Sequence, residues 1–219
     1  MAMGRLAVLL AVVLLSVSGV AGAVELREGQ NYTVLSSPGP VEAKDKIEVT
    51  EFFWYNCGHC FNLEPIMQKW LKKLPKDVVF RRMPAVFPGK DGKPAPWAPM
   101  AQLYFTLEAM GLVDKLHGEV FDAIHVDRVN LNDPKILLDW LAAKGVDRQK
   151  FADTYNSFSM QSKVIRAQQL SQQYGFNGVP SIYVDGRYSP SSGEAGSHED
   201  VTAILDLLID KVRKERAKK

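Results

Sequence analysis

Cys57 and Cys60 are the residues of this chain whose type and spacing most clearly indicate chemistry. They are its two cysteines, and Gly58 and His59 separate them. A C-x-x-C pair next to a β–α–β pattern is typical of thiol–disulfide exchange, in which a thiolate attacks a disulfide sulfur. A purely structural bridge is a weaker interpretation, because closing so short a loop removes little entropy from the unfolded chain.

Two alternatives based on a metal or a haem require residues that the sequence places poorly. A structural zinc site needs four ligands, so two of the four histidines would have to join the cysteine pair. Covalent haem attachment requires a histidine directly after the second cysteine, where this chain has Phe61. We therefore expect no metal and no separate cofactor, and we expect the Cys57–Cys60 disulfide to be the redox-active group.

The elements around the pair explain why it should be reactive. Ile47 to Tyr55 is rich in β-branched and aromatic residues and predicts a buried strand, whereas apolar residues recur at helical spacing from Leu63 to Leu74. The pair therefore lies where a strand ends and a helix begins, where unpaired N–H groups and the helix dipole favour negative charge. We expect Cys57 to be the attacking thiol, His59 to favour its thiolate, and Cys60 to be the shielded resolving thiol.

The rest of the sequence predicts an α/β sheet domain that is interrupted by helices. Val78 to Met83 reads as the next strand, and strand character returns at Ser181 to Val184, before an Asp185-Gly186 turn. The final helix should start near Ser197. Between the strands at 78–83 and 181–184, the expected helices run from Pro96 to Met110, from Asp133-Pro134 to Gly145, and from Ser162 to Tyr174. We therefore expect an all-helical insertion at roughly 89–165.

The N-terminus has the pattern of a secretory signal peptide. Arg5 precedes an apolar run from Leu6 to Leu15, which is too short for a membrane-spanning helix of about 20 residues. Ala21-Gly22-Ala23 follows with the small-x-small pattern of a cleavage site. We expect residues 1–23 to be removed and the mature protein to be exported and soluble. The formal charge of the full 219-residue sequence, +2, argues against a nucleic-acid partner.

Two longer motifs resemble a known family. The segment Glu51-Phe52-Phe53-Trp54-Tyr55-Asn56-Cys57-Gly58-His59-Cys60 is similar to the active-site segment of the DsbA family of bacterial periplasmic disulfide oxidases. Gly178-Val179-Pro180-Ser181 resembles the cis-proline loop of that family. The resemblance implies a thioredoxin-like domain over 24–88 and 166–219, with the helical insertion over 89–165 between its two parts.

The same resemblance implies roles for individual residues. Cys57 would be the nucleophile and Cys60 the resolving thiol, and Pro180 would follow a cis peptide bond. Val179 and Pro180 would contact substrate. Glu51 would be the buried acid that moves a proton to or from Cys60, although an ordinary solvent-facing strand residue is the alternative. Arg82 lies near the basic position that accompanies this acid in the family. Apart from the resemblance, the sequence itself predicts that His117 and His125 lie on helix surfaces.

The resemblance also implies partners and a location. The protein would act in the periplasm as a disulfide donor to unfolded or folding exported proteins with free thiols, and a quinone-linked membrane oxidase of the DsbB type would reoxidise it. The Gly58-His59 dipeptide is shared with protein disulfide isomerases, whereas many DsbA proteins have Pro-His. A reductase or isomerase of the same fold is therefore an alternative. A redox-inactive peptide-binding chaperone is a third.

Overall fold

The computed structural model describes residues 25–89, 96–191 and 198–218. Within these ranges, five strands form one mixed sheet in the order β1–β5–β4–β2–β3. Strands β2 and β3 are parallel, and the other neighbouring pairs are antiparallel. The strands are β1 (Tyr32–Val34), β2 (Ile47–Phe53), β3 (Val78–Pro84), β4 (Ser181–Val184) and β5 (Tyr188–Pro190).

Seven helices within the described ranges cover this sheet. Five of them follow one another between β3 and β4, and α1 and α7 pack against each other. The helices are α1 (Gly58–Leu71), α2 (Ala98–Ala109), α3 (Val113–His125), α4 (Pro134–Ala143), α5 (Arg148–Tyr155), α6 (Phe158–Tyr174) and α7 (His198–Arg216).

Strand β2 lies between two hydrophobic cores, and all seven of its residues are buried. Ile47 and Val49 pack in one core with apolar residues of α1 and α7. Phe52 belongs to the other core, with apolar residues of α2, α3 and α6. Glu51 shares the face of Ile47 and Val49, because side chains alternate along a strand, so its carboxyl group lies on the α1 side of the sheet. The central strand thus delivers a buried acid beneath the helix that carries the cysteines.

The α/β architecture expected from the sequence is confirmed, with differences at element ends. The strand predicted over 47–55 ends at Phe53, because a turn begins at Trp54, whose carbonyl accepts a hydrogen bond from the Cys57 N–H. The helix predicted from Ser162 begins at Phe158, after Ser157 caps it through the N–H of Met160. The insertion over 89–165 stays a prediction, and its end at 165 lies inside the continuous helix α6.

Residues 1–23, which hold the predicted signal peptide, lie outside the described residues. None of the helices that the structure describes is both long enough and apolar enough to cross a membrane.

Two glycines allow a matched test of the fold. Gly186, between β4 and β5, has φ +64, and a Cβ atom there would collide with the backbone carbonyl oxygen of Gly39. Gly118 is exposed on α3, and a Cβ atom there would meet nothing within 4 Å. We expect Gly186→Ala to lower the free energy of unfolding by about 2 kcal/mol or more. Gly118→Ala should raise it by about 1 kcal/mol. Urea denaturation checks both, and equal effects would contradict the geometry of this turn.

Candidate active site

Cys57 is the N-cap residue of α1. Its backbone is extended (φ −91, ψ 116), and its sulfur accepts a hydrogen bond from the backbone N–H of Cys60 at 3.4 Å. The carbonyl oxygen of Cys57 accepts the N–H of Phe61 at 3.0 Å, which closes the first helical turn. A side-chain acceptor at an N-cap satisfies one of the N–H groups that a helix leaves unpaired, so a sulfur with negative charge is favoured in this position.

The two thiols of the described dithiol form differ in environment. Cys57 is half-buried, whereas Cys60 is 1% exposed. A hydrogen bond from the Cys60 thiol lowers the pKa of Cys57 to about 6, and the backbone N–H groups of Cys60 and His59 and the charge of His59 add to this effect. Burial raises the pKa of Cys60 well above its ordinary value. At neutral pH the pair therefore presents one accessible thiolate and one buried thiol.

The predicted cis-proline loop lies against Cys57. The Val179–Pro180 peptide bond is cis, as expected from the sequence. The Cys57 sulfur is 3.3 Å from the carbonyl oxygen of Val179, to which the thiol donates a hydrogen bond when it is protonated. Both loop residues and the exposed His59 line an open groove of about 620 Å³, together with Leu63. The structure thus brings four of the predicted site residues, Cys57, His59, Val179 and Pro180, to one surface.

Glu51 lies beneath this surface and is 1% exposed, so the alternative of a solvent-facing strand residue is wrong. Its Oε2 atom is 3.8 Å from Nε of Arg82, and neither atom has a hydrogen-bond partner among the described residues. Arg82 instead donates through its Nη2 atom to both carboxyl oxygens of Glu64, at 2.8 and 3.1 Å. Gln68 also donates to Glu64, at 2.6 Å. Two carboxyl groups therefore compete for one guanidinium group, and Glu64 holds it.

This competition separates the ionisation of the two acids. Burial, opposed by the charge of Arg82 and reinforced by the charge of Glu64, raises the pKa of Glu51 to about 7. Burial also opposes ionisation of Glu64, but its contacts with His117, Arg82 and Gln68 outweigh burial and lower its pKa below the usual value. Near neutral pH, Glu51 can therefore gain or lose a proton while Glu64 stays charged.

His117 and His125 were expected on helix surfaces, and this expectation is wrong. His117 is 2% exposed, and its Nδ1 atom is 2.9 Å from the hydroxyl oxygen of Tyr55. His125 is half-buried, donates from Nε2 to the backbone carbonyl of Tyr55 at 2.8 Å, and stacks on Phe61. Both histidines lie on one face of α3 together with Phe121, since residues four apart share a helix face. Helix α3 therefore holds the turn that precedes Cys57.

Sequence reasoning missed Glu64, Tyr55 and His117 as members of the site. Glu64 follows Cys60 by one helical turn, and this spacing was the one local signal for it. The eight-residue spacing of His117 and His125 could have indicated a shared helix face. Nothing in the sequence indicated that this face of α3 packs against the active-site turn.

Comparisons with known proteins agree over most of the chain. A family model described as a DSBA-like thioredoxin domain matches residues 97–199. The thiol:disulfide interchange protein DsbA of Pseudomonas aeruginosa is 43% identical over 185 residues, which cover 84% of this chain and 85% of that protein. The protein of the same name from Azotobacter vinelandii is 40% identical over 189 residues, which cover 86% of both chains.

Solved structures give the same result. The crystal structure of Pseudomonas aeruginosa DsbA matches with a TM-score of 0.78 at 43% identity, covering 87% of this chain and 96% of that chain. The oxidoreductase NmDsbA1 from N. meningitidis matches with a TM-score of 0.75 at 32% identity, covering 88% of this chain and 96% of that chain.

The different environments of the two thiols generate a test. In the reduced protein, the thiolate absorbance at 240 nm should rise with a midpoint at about pH 6, because Cys57 ionises there. Cys57→Ser should abolish this transition, whereas the buried Cys60 should add no second transition below pH 9. A transition near pH 6 that survives in Cys57→Ser, or faster alkylation of Cys60 than of Cys57 at neutral pH, would contradict the assignment.

Proposed function

Because this chain belongs to the DsbA family of thiol:disulfide interchange proteins, which are oxidoreductases, we propose that it donates the Cys57–Cys60 disulfide to other proteins. The observation that carries this proposal is the position of the Cys57 sulfur. It caps helix α1 and contacts Val179, which lines the open groove, while Cys60 is buried. A thiolate in such a position is a good leaving group, which is what a disulfide donor needs when the substrate departs.

Exchange would proceed in two displacements. A substrate thiolate attacks the Cys57 sulfur of the disulfide form, so a bond between Cys57 and the substrate sulfur forms while the Cys57–Cys60 bond breaks. A second substrate thiolate then attacks the substrate sulfur of this mixed disulfide and releases Cys57 as a thiolate. The substrate loses two electrons and the cysteine pair gains them.

The first displacement expels Cys60 as a thiolate in a site that disfavours its charge. Glu51 is the group suited to supply a proton, since its pKa of about 7 leaves a large protonated fraction at neutral pH. The carboxylate then regains a proton from solvent. In the opposite direction, the same carboxylate would accept the proton of Cys60 when the disulfide re-forms.

Val179 would align the substrate. Its carbonyl oxygen accepts a hydrogen bond from Cys57 when that thiol is protonated, and this proton is absent both in the Cys57 thiolate and in the disulfide. The carbonyl is then available to a backbone N–H of an extended substrate segment. Pro180, next to it, has no N–H of its own that could compete for the same acceptor.

We further propose that the substrates are unfolded or folding exported proteins with free thiols, and that the protein works in the periplasm. Disulfides persist in that compartment, and the sequence of residues 1–23 fits an export signal. Each donation leaves a dithiol, so an oxidant is required for the next one. A quinone-linked membrane oxidase of the DsbB type would supply that oxidation.

Cysteine variants test the order of steps. Cys57→Ala should lose all exchange with a reduced, unfolded model protein. Cys60→Ala, mixed with a model protein that carries a disulfide, should instead accumulate a covalent mixed disulfide: its Cys57 thiolate displaces one substrate sulfur as a thiolate, and no resolving thiol remains to displace the substrate from Cys57. Non-reducing electrophoresis and intact mass measure this adduct. Accumulation with Cys57→Ala, or exchange that persists without Cys57, would reverse the roles of the two thiols. Absence of exchange in the unsubstituted protein would favour the redox-inactive chaperone.

The pH dependence of stability separates a disulfide donor from a reductase. The pKa of Cys57 is about 6 in the folded dithiol form and 9.0 for an ordinary cysteine, so the unfolded chain binds more protons between these values. The stability of the reduced protein, relative to the oxidised protein, should therefore rise with pH across this window. The difference in free energy of unfolding between the two forms should change by at most about 1.4 kcal/mol per pH unit, which corresponds to roughly 30 mV of reduction potential. Solvent screening of the half-exposed Cys57 makes the change smaller.

Urea midpoints of both redox forms at pH 5.5 and pH 8 measure this effect, and the oxidised protein serves as the control for all other titrating groups. A reduced form that gains stability over the oxidised form at the higher pH supports a donor. No gain, or a more stable oxidised form at pH 8, would place the protein with the reductases.

A further inference from the structure

His117 is a buried imidazole of the helical segment that reaches into the polar cluster below Cys60. It extends from α3, is 2% exposed, and has aromatic neighbours on several sides. These rings are Phe53, Tyr55, Tyr104 and Phe121, with centroids 5.1 to 5.9 Å from the imidazole. A polar ring in such a setting is costly unless both nitrogen atoms meet suitable partners.

The partners of His117 define where its proton lies. Burial lowers the pKa of His117, so the ring is neutral and carries one N–H. Nδ1 is 2.9 Å from the hydroxyl oxygen of Tyr55, and Nε2 is 3.4 Å from Oε2 of Glu64. A proton on Nδ1 would leave the lone pair of Nε2 facing a carboxylate. The favourable arrangement therefore has the Tyr55 hydroxyl donating to Nδ1 and the Nε2–H facing Glu64.

The Nε2–H to Glu64 contact is electrostatic rather than a well-aligned hydrogen bond, since Nε2 has no aligned partner among the described residues. Both side chains are nevertheless buried, and such contacts are stronger in the low-dielectric interior than in water. The other contacts of Glu64 come from Gln68 and Arg82. His117 and Gln68 therefore hold the Glu64 carboxylate in the position from which it binds the Arg82 guanidinium.

We propose that His117 is a positioning residue for proton transfer at Cys60: it keeps Glu64 on Arg82, and Arg82 is thereby withheld from Glu51. This inference deepens the proposed function, because it rests on Glu51 as the acid that serves Cys60. It assigns a role in the redox centre to a side chain from the helical segment between β3 and β4.

The groups that face this cluster come from every neighbouring element. Glu64 belongs to α1, Arg82 to β3, Tyr104 to α2, Tyr55 to the active-site turn and Glu51 to β2. Burial raises the pKa of both tyrosines, so they remain uncharged. The charges that decide the proton balance are therefore those of Arg82 and the two carboxyl groups.

Loss of the Nε2–H should weaken the hold of Glu64 on Arg82. The guanidinium can then turn towards Glu51, whose Oε2 is already 3.8 Å from Nε. A closer cation stabilises the Glu51 carboxylate, so Glu51 would release its proton at lower pH. Less of the acid would be available at neutral pH, and opening of the disulfide would slow.

Two amide substitutions separate the two contacts of the imidazole. His117→Asn can place an oxygen near the Nδ1 position and keep the Tyr55 contact, but it has no donor near Glu64. His117→Gln can place its N–H₂ near the Nε2 position and keep the donor to Glu64. The measurement is the titration of Glu51 in the reduced protein, by NMR of ¹³C-labelled glutamate carboxyl groups. Disappearance of the signal in Glu51→Gln assigns it.

We expect the Glu51 midpoint to fall from about 7 by about one pH unit in His117→Asn and to stay near the original value in His117→Gln. Glu64→Gln should give a larger fall, because it also removes a negative charge that raises the pKa of Glu51. Adding His117→Asn to Glu64→Gln should have no further effect, because His117 acts through Glu64. An unchanged midpoint in His117→Asn, an equal fall in His117→Gln, or additive falls in the double variant would overturn the proposal.

Two further measurements exclude a general structural effect. The 240 nm midpoint of Cys57 should stay near 6 in the same variants, because its thiolate depends on Cys60 and the start of α1. A variant that moves Cys57 and the unfolding midpoint but not Glu51 would show a purely structural role. If His117→Asn fails to fold, Tyr55→Phe removes only the hydroxyl that orients the ring. It should lower the Glu51 midpoint in the same direction, and no change would overturn the proposal.

The matched control is His125→Gln. This histidine lies on the same face of α3 and contacts the backbone of Tyr55, but it makes no contact with either carboxyl group. His125→Gln should leave the Glu51 midpoint unchanged. If that midpoint falls, the change in Glu51 comes from disturbing the turn before Cys57 and not from the contact between His117 and Glu64. Exchange by the unsubstituted protein is measured separately. Its absence would refute the proposed function, whereas the Glu51 titration would still decide the role of His117.

Discussion

The start of helix α1 is the feature on which the chemistry of this protein depends. The Cys57 sulfur occupies the N-cap position and accepts the N–H of Cys60, so helix formation and thiolate stabilisation are one interaction. The helix is held in place by its packing against α7 and by a buried strand that ends just before the turn. A change that loosened this helix start would therefore alter both the geometry and the acidity of the reactive thiol.

Burial then gives the two cysteines different properties. They are separated by one turn of helix, yet Cys57 is half-buried beside the groove-lining Val179 and Cys60 is enclosed above a polar cluster. That cluster places Glu51, Glu64 and Arg82 in a region where an unbalanced charge is expensive. Two acids and one strong base leave one carboxyl group without a full ionic partner, and the contacts select Glu51 for that role. The site thus contains an acid poised near neutrality because its charges do not balance.

The sequence was sufficient for the parts of the site that are local along the chain. The strand, the C-x-x-C turn and the helix follow one another, so residue types and spacing predicted Cys57, Cys60 and the helix start. The loop around Pro180 and the burial of Glu51 were predicted through family resemblance. The role of His117 could not be predicted, because a histidine among apolar residues of a helix gives no sign of what the opposite element presents. Glu64, Arg82 and His117 come from three elements, and only tertiary packing brings them together.

The contact between Cys57 and Val179 joins residues that are 122 positions apart, and the described residues between strands β3 and β4 form five helices on the way. The entropy lost on closing a flexible loop grows only with the logarithm of its length, by about 0.6 kcal/mol for each doubling. The length of chain between the two halves of the active site therefore has little direct influence on their meeting. Insertions in the exposed connections of the helical segment would be tolerated cheaply, provided that α3 keeps its place beside Tyr55. The catalytic surface and the size of the segment that covers it can accordingly vary almost independently.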